Sequence, residues 1–212
     1  MYRGLVTEKI VTSKSIQQQK VLQLFEDRGL LRPRDLDAIG VPREILRRLC
    51  RQGLLERVGH GLYRQPNRPF SENQTLAEVC KKFPKGVVCL LSALRYHNLT
   101  TQNPFEVWLA IDVKAHRPIT DLPVRFVRLS GAAMTEGIQI VDVDGTPVKI
   151  FSPAKTVTDC FKFRNKIGLD VALEALKDCL ADGQCTPDEL WHFGKVNRVN
   201  RVMQPYLEAM LT

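Results

Sequence analysis

The stretch LLRPRDLDAIGVPREILRRLCRQGLLERVGHGLYR, residues 30–64, decides the fold of the N-terminal part of this chain. It opens with a short helical pattern in which Leu36 and Ile39 form the buried pair, and Gly40 suits the left-handed position that ends such a helix. Pro42 then suits the first turn of a second helix, because its missing N–H costs nothing there. Two helices joined by a tight turn and followed by a hairpin predict a winged helix-turn-helix.

The second helix of this motif, predicted over residues 42–52, has two unlike faces at about 100° per residue. One face is apolar and carries Ile45, Leu46, Leu49 and Cys50. The opposite face carries Arg43, Arg47, Arg48 and Arg51. Neighbouring like charges repel each other, so this face gains stability chiefly against a polyanion such as DNA. The alternative interpretation is an amphipathic surface helix whose charged face is only solvated.

The hairpin after this helix predicts the wing. Strands at Leu54–Val58 and Leu62–Arg64 enclose a Gly-His-Gly loop, whose glycines permit the positive φ angles of a tight reversal. Arg57 and Arg64 flank the loop, and His60 lies at its tip. A wing of this kind lies along the phosphate backbone or reaches into the minor groove of DNA.

The positive charge of the chain is concentrated in its N-terminal part. The formal net charge of the 212 residues is +8. Residues 1–70 hold 14 Lys and Arg against 7 Asp and Glu, a net charge of +7, whereas residues 71–212 hold 17 against 16. This asymmetry favours a local nucleic-acid contact over general basicity.

Two domains are predicted. The linker Gln65–Pro69 places a boundary between a DNA-binding domain of residues 1–68 and a C-terminal domain of residues 69–212. Strands and helices mix in the second part without regular alternation, and Asp144-Gly145 marks a hairpin there. We therefore predict an α+β fold, in which an N-terminal winged helix-turn-helix is followed by a larger mixed α/β C-terminal domain.

Helix starts in the C-terminal part are predicted from capping residues. Thr75 with Glu78 and Thr186 with Glu189 have the spacing of capping boxes. Ser92 is interpreted as the cap of a short helical segment of residues 92–97. Because no nucleophile motif surrounds Ser92, we interpret it as structural and expect no catalytic residue there.

The six cysteines do not have the spacing of a metal site. Five of them fall within apolar patterns, which predicts reduced core thiols in a cytoplasmic protein. Cys179, Cys185 and His192 come closest to a ligand cluster, but their spacing is unlike that of zinc ligands, so we expect no metal and no other cofactor. The chain also lacks an apolar run long enough to span a bilayer, and we expect no membrane contact.

A metal-dependent nuclease is the less favoured alternative. Asp112 and Lys114 follow an alternating strand, a pattern similar to the acid-x-lysine element of restriction-type nucleases. Such a site needs further acids that converge on a metal ion. Glu106 lies on the same strand as Asp112, but their separation of six residues spans about 20 Å in an extended chain. We therefore expect a protein that is not an enzyme.

Three blocks of the sequence resemble the AbiEi family, the antitoxins of type IV toxin–antitoxin and phage-defence systems. They are DLDAIGVPREILRRLCRQGLLERVGHGLYR in the N-terminal part, SALRYHNLT at residues 92–100, and IFSPAKTVTDCFKF at residues 150–163, which a helix beginning GLDVALEAL follows. The order of the blocks extends the resemblance over nearly the whole chain.

This resemblance implies an autorepressor that binds inverted repeats in the double-stranded DNA of its own promoter. It also implies that the C-terminal domain opposes a nucleotidyltransferase-type toxin without forming a stable complex with it. Carried over by position, the DNA-binding residues would be Arg43, Arg47, Arg48, Arg51, Arg57, His60 and Arg64, with Arg32 and Arg34 on phosphates. A stand-alone winged-helix regulator with a sensing C-terminal domain is the alternative, and a toxin gene next to this one would favour the antitoxin.

Overall fold

The computed structural model divides the chain into two compact units. One comprises Met1–Glu78 and Asp142–Thr146, and the other comprises Val79–Val141 and Pro147–Thr212. The described residues are 16–25, 30–59, 61–66, 74–116 and 118–211. The boundary predicted between residues 68 and 69 lies outside them and stays a prediction. Within the described ranges, no helix has the length and apolar character needed to cross a membrane.

The first unit has the elements of a winged helix-turn-helix, as predicted. Its helices are α1 (residues 16–25), a 3-10 helix (Pro33–Ile39) and α2 (Glu44–Arg51). Its strands are β1 (Leu30–Leu31), β2 (Glu56–Gly59) and β3 (Leu62–Arg64). They form an antiparallel sheet in the order β1-β3-β2, in which β2 and β3 are the predicted wing hairpin.

The turn between the two helices follows the predicted chemistry. Gly40 adopts the left-handed conformation, with φ of +65°, directly after the 3-10 helix. The helix α2 begins at Glu44, two residues later than predicted. The reason is that the N–H groups of Ile45 and Leu46 bond to the carbonyls of Pro42 and Arg43, in a tighter turn that precedes the helix.

Aliphatic side chains from every helix of the first unit fill its core. Leu36 from the 3-10 helix and Leu46 and Leu49 from α2 are fully buried in the same apolar cluster. The cluster is completed by Val21, Phe25, Leu31, Val41, Ile45, Leu55 and Tyr63. Burial of each large aliphatic side chain contributes about 1.5–3 kcal/mol. This core fixes which side of α2 turns outward.

The second unit is built on a five-stranded mixed sheet in the order β6-β5-β4-β8-β7. The strands are β4 (Val87–Val88), β5 (Val107–Asp112), β6 (Val124–Leu129), β7 (Ile138–Val143) and β8 (Thr146–Phe151). The strand β5 runs antiparallel to β4 and parallel to β6, with Val107 opposite Val124. The mixed α+β class predicted from the sequence is thereby confirmed.

Helices pack on this sheet around a second apolar core. They are α4 (Leu90–Tyr96), α5 (Ala132–Thr135), α6 (Pro153–Lys162), α7 (Arg164–Ile167), α8 (Leu169–Ala181), α9 (Pro187–Asn197) and α10 (Asn200–Leu211). The helix α3 (Gln74–Lys82) comes before β4, and the boundary between the two units falls within it, after Glu78. The predicted capping box at Thr186 and Glu189 is present at the start of α9.

Two of the predicted caps are wrong. Thr75 lies inside α3, which already includes Gln74, so it does not cap that helix. Ser92 lies inside α4, whose N-cap is Cys89. The buried hydroxyl of Ser92 instead accepts a hydrogen bond of 2.9 Å from the backbone N–H of Trp108. Ser92 is thus structural, as interpreted, but its contact is tertiary and not local.

A buried ion pair lies in the second core. Lys155 Nζ donates to the two carboxylate oxygens of Asp159 at 2.6 and 2.7 Å, and the side chains are 0% and 1% exposed. Asn197 Nδ2 donates to the same carboxylate at 2.7 Å, and the ammonium lies 4.3 Å from the ring centroid of Phe151. Burial raises the pKa of the Asp159 carboxyl, against the opposing effect of Lys155. The pair and Asn197 join α6 to α9.

The cysteines correct one sequence-based expectation. Cys80, Cys89 and Cys160 are buried thiols, as predicted, and burial raises the pKa of Cys80 to about 12. Cys179 and Cys185, however, form a disulfide with their Cα atoms 5.7 Å apart. The expectation of reduced thiols is therefore wrong for this pair, because the turn after α8 brings together two residues that the apolar pattern treats separately.

Candidate nucleic-acid interface

The helix α2 carries a row of exposed arginines opposite its buried side. Ile45, Leu46 and Leu49 are at most 4% exposed and pack into the core of the first unit. Arg47 and Arg51, one turn apart, are exposed, and within the described part of the chain neither side chain has a hydrogen bond or an ion pair. These two guanidinium groups are therefore available to an external anion.

Arg43 belongs to the same row but is held by an acid. Its Nε donates to Asp37 Oδ1 at 3.0 Å, and its terminal nitrogen bonds to the second carboxylate oxygen. This contact raises the pKa of Arg43 and lowers the pKa of Asp37. Both side chains are at least half exposed, so solvent screens the pair and a phosphate can compete for the arginine. Asp37 is a participant that sequence analysis missed.

Arg48 differs from its neighbours on α2. Its residue is half-buried, and its Nη2 atom is buried without a hydrogen-bond partner among the described residues. A buried guanidinium nitrogen that makes no hydrogen bond is costly. The predicted interface therefore contains one arginine that lies partly against the protein, next to two that project into solvent.

The wing arginines are also unequal. Arg57 is exposed on β2 and lies opposite Tyr63, next to an irregularity in the strand pairing between Arg57 and Gly59. Arg64 lies opposite Glu56 and forms an ion pair with it, with 20% of the arginine side chain exposed. His60, predicted at the tip of the wing, lies outside the described residues.

Arg32 and Arg34 flank the start of the 3-10 helix. The backbone N–H of Arg32 donates to Asp35 Oδ2 at 2.7 Å, which fixes the start of this helix. Arg34 is exposed. Partial burial and then the nearby charge of Arg34 lower the pKa of Arg32. These two nearby cations suit a contact with phosphate, with Asp35 as the acid beside Arg32.

The residues of the alternative nuclease site serve local structure. Asp112 Oδ1 accepts the backbone N–H of Lys114 at 2.8 Å, in the turn that ends β5. Glu106 binds Arg125 at 2.9 Å. His192, from the weak metal pattern, bonds to Glu136 at 2.9 Å. Within the described ranges, no three His, Cys, Asp or Glu side chains converge as metal ligands would.

The chain is similar to known proteins in its fold and in part of its sequence. The crystal structure of the RV2827C protein from Mycobacterium tuberculosis has a similar fold, with a TM-score of 0.58 and 15% sequence identity, over 85% of this chain and 71% of that one. No curated protein matches the chain. Residues 19–66 match the profile of a family described as "Transcriptional regulator, AbiEi antitoxin". The resemblance to this family that was drawn from the sequence is thereby confirmed over residues 19–66, which include the helix-turn-helix and the wing.

Proposed function

We propose that this chain is an antitoxin that represses its own operon by binding inverted repeats in the promoter. The observation that carries the proposal is the pair Arg47 and Arg51, exposed without an acidic partner in the described residues, on a helix whose other side is anchored in a core. In a winged helix-turn-helix, the second helix of the motif enters the major groove. The two arginines then face base edges and phosphates.

The predicted DNA-binding residues divide into three groups, which contact bases, contact phosphates or support the helix. Arg47 and Arg51 approach the bases, where a guanidinium recognises guanine through two hydrogen bonds. Arg43 exchanges Asp37 for a phosphate, and Arg48 supports the helix from a half-buried position. Phosphate contacts by the remaining residues set the position of the module on the duplex, and these residues are Arg32, Arg34, Arg57, His60 and Arg64.

Sequence specificity then depends on few residues, whereas affinity depends on many. Residues 1–70 carry a net charge of +7, which favours binding to DNA. Each contact with a phosphate releases counterions from the DNA, so the affinity should depend strongly on salt concentration. Two half-sites of an inverted repeat would be occupied by two copies of the chain, one on each half-site. We therefore expect Arg47 and Arg51 to contribute more to sequence specificity than the phosphate contacts do.

The antitoxin activity is proposed for the second unit. Its toxin would be of the nucleotidyltransferase type, encoded next to this chain, and opposed without a stable complex. The support for this part is the family match over residues 19–66 and the order of the three sequence blocks. The DNA-binding part of the proposal does not depend on it.

Two assays test the two parts separately. In a gel shift, the full chain should bind its own promoter fragment in preference to a fragment of equal length with scrambled half-sites. In growth assays, co-expression of the full chain should restore growth that the neighbouring gene product inhibits. Equal binding to both fragments would contradict the repressor, and failure to restore growth would contradict the antitoxin.

A further inference from the structure

The strand β6 is a free edge of the sheet in the second unit. It is the terminal strand in the order β6-β5-β4-β8-β7. The N–H groups of Val107 and Val113 donate to the carbonyls of Pro123 and Leu129, so odd-numbered residues of β6 turn their backbone groups toward β5. Even-numbered residues therefore turn theirs outward. Within the described chain, nothing pairs with this edge.

A basic groove follows this edge. Its volume is about 640 Å³, and its lining includes Arg125, Arg128 and Lys166 together with the rings of Phe126 and Phe163. Arg125 and Arg128 are three residues apart on one strand, so they project from opposite faces of the sheet. A chain laid along the edge would pass between these two cations.

Two of these cations are fixed in place. Arg128 Nη1 donates to the carbonyls of Val113 and Ala115 at 2.7 and 2.9 Å, which orients the guanidinium without neutralising its charge. Arg125 lies 4.7 Å from the ring centroid of Trp108, and its Nε binds Glu106. Cations that are already ordered lose less entropy when an anion binds.

Two large apolar side chains lie fully in solvent on the segments that lead into these strands. Phe105, just before β5, is 99% exposed, and Ile119, five residues before β6, is 97% exposed. Single exposed apolar residues are ordinary in soluble proteins. Here they accompany an unpaired strand and a charged groove in the same unit, which is typical of an interaction surface.

We propose that the edge of β6 binds an acidic, extended segment of a partner protein, which joins the sheet as an additional strand. The backbone groups of Val124, Phe126 and Arg128 would provide main-chain hydrogen bonds. The three cations would select acidic side chains, and Arg125 would exchange Glu106, with which it forms an exposed ion pair, for a carboxylate of the partner. Pairing of two β6 edges would bring like charges together, so the same cations disfavour a second copy of this chain. This proposal does not depend on the DNA-binding function.

The test uses a fluorescent nine-residue peptide in which pairs of glutamates alternate with pairs of valines, so that both faces of the added strand carry carboxylates. Its binding to the full chain is measured by anisotropy. It should bind saturably, whereas a peptide with lysine in place of glutamate should not. A fully N-methylated version keeps the charges but has no N–H donors, so it should also fail. Absence of saturable binding by the acidic peptide, or equal binding of its N-methylated version, would overturn the proposal.

Charge reversal locates the binding on the protein. The double variant Arg125→Glu, Lys166→Glu should weaken the acidic peptide about tenfold, because two favourable side-chain pairs become repulsive, and should begin to bind the lysine peptide. The control variant Lys177→Glu, Lys195→Glu makes the same change in net charge on α8 and α9. Circular dichroism checks that both variants fold. Equal weakening in the two variants, or tighter binding of a nine-residue oligothymidine than of the acidic peptide, would contradict the proposal.

Discussion

The buried pair of Lys155 and Asp159 gives the sharpest prediction on stability. Because both side chains are at most 1% exposed, the Asp159→Ala variant leaves an ammonium in the core without its counter-charge. Breaking a buried pair by removing one partner costs about 3–5 kcal/mol. The variant also removes one of the two acceptors of Asn197 Nδ2, the other being Thr158 Oγ1, so we expect a loss within that range.

The double variant Lys155→Met, Asp159→Asn separates the charge from the packing. It removes both charges and keeps nearly the same volume, so most of the lost free energy of unfolding should return. Urea denaturation followed by tryptophan fluorescence reports on this unit, because Trp108 and Trp191 belong to its core cluster. A loss below about 1 kcal/mol in Asp159→Ala would refute the reasoning, since it would mean that the pair is solvated.

The single variant Lys155→Met adds a test by pH. Burial already raises the pKa of Asp159, and removing the lysine removes the main opposing effect. A carboxyl whose pKa is higher in the folded state stabilises the fold below its unfolded pKa and loses this contribution as pH rises through the folded pKa. Relative to the wild type, Lys155→Met should therefore be less destabilised near pH 5 than near pH 8. A pH-independent difference would contradict this assignment.

Three further predictions concern the first unit. Gly40→Ala should cost about 1–2 kcal/mol in thermal unfolding, because φ is +65° although space is open around the added carbon, and an unchanged melting temperature would contradict the left-handed turn. Arg57→Ala should weaken binding to all DNA sequences alike and reduce the salt slope by about one, and a sequence-dependent loss would instead indicate base contact. A fragment of residues 1–68 should bind the promoter in gel shifts but not restore growth against the toxin, and full rescue would remove the proposed role of the second unit.

Elements with a local cause were predictable from the sequence. The amphipathic pattern placed α2, and Gly40 followed two residues later by Pro42 placed the turn before it, since both signals act within a few residues. The strand β1 was missed because two residues are too short for any alternating pattern. The caps at Thr75 and Ser92 were misplaced because residues that precede them, Gln74 and Leu90, already belong to the helices.

The candidate site shows the same division. Its exposed arginines could be predicted from helical periodicity alone. The partners of Arg43 and Arg64 could not, because Asp37 and Glu56 reach them across a turn and across a hairpin. Such contacts depend on the register of the folded chain, which composition and spacing do not specify. Because of these ion pairs, Arg43 and Arg64 are less available to DNA than the exposed arginines of α2.

The most direct test of the account compares two single arginine variants of the full chain. Arg47→Ala removes a guanidinium from α2, and the control Arg201→Ala removes the same charge from the exposed side of α10. Dissociation constants for the promoter fragment are measured at one salt concentration. If Arg47 contacts a base, Arg47→Ala should lose about 1–3 kcal/mol of binding free energy, and Arg201→Ala should change little. Equal affinities of the two variants would contradict the claim that α2 reads the DNA.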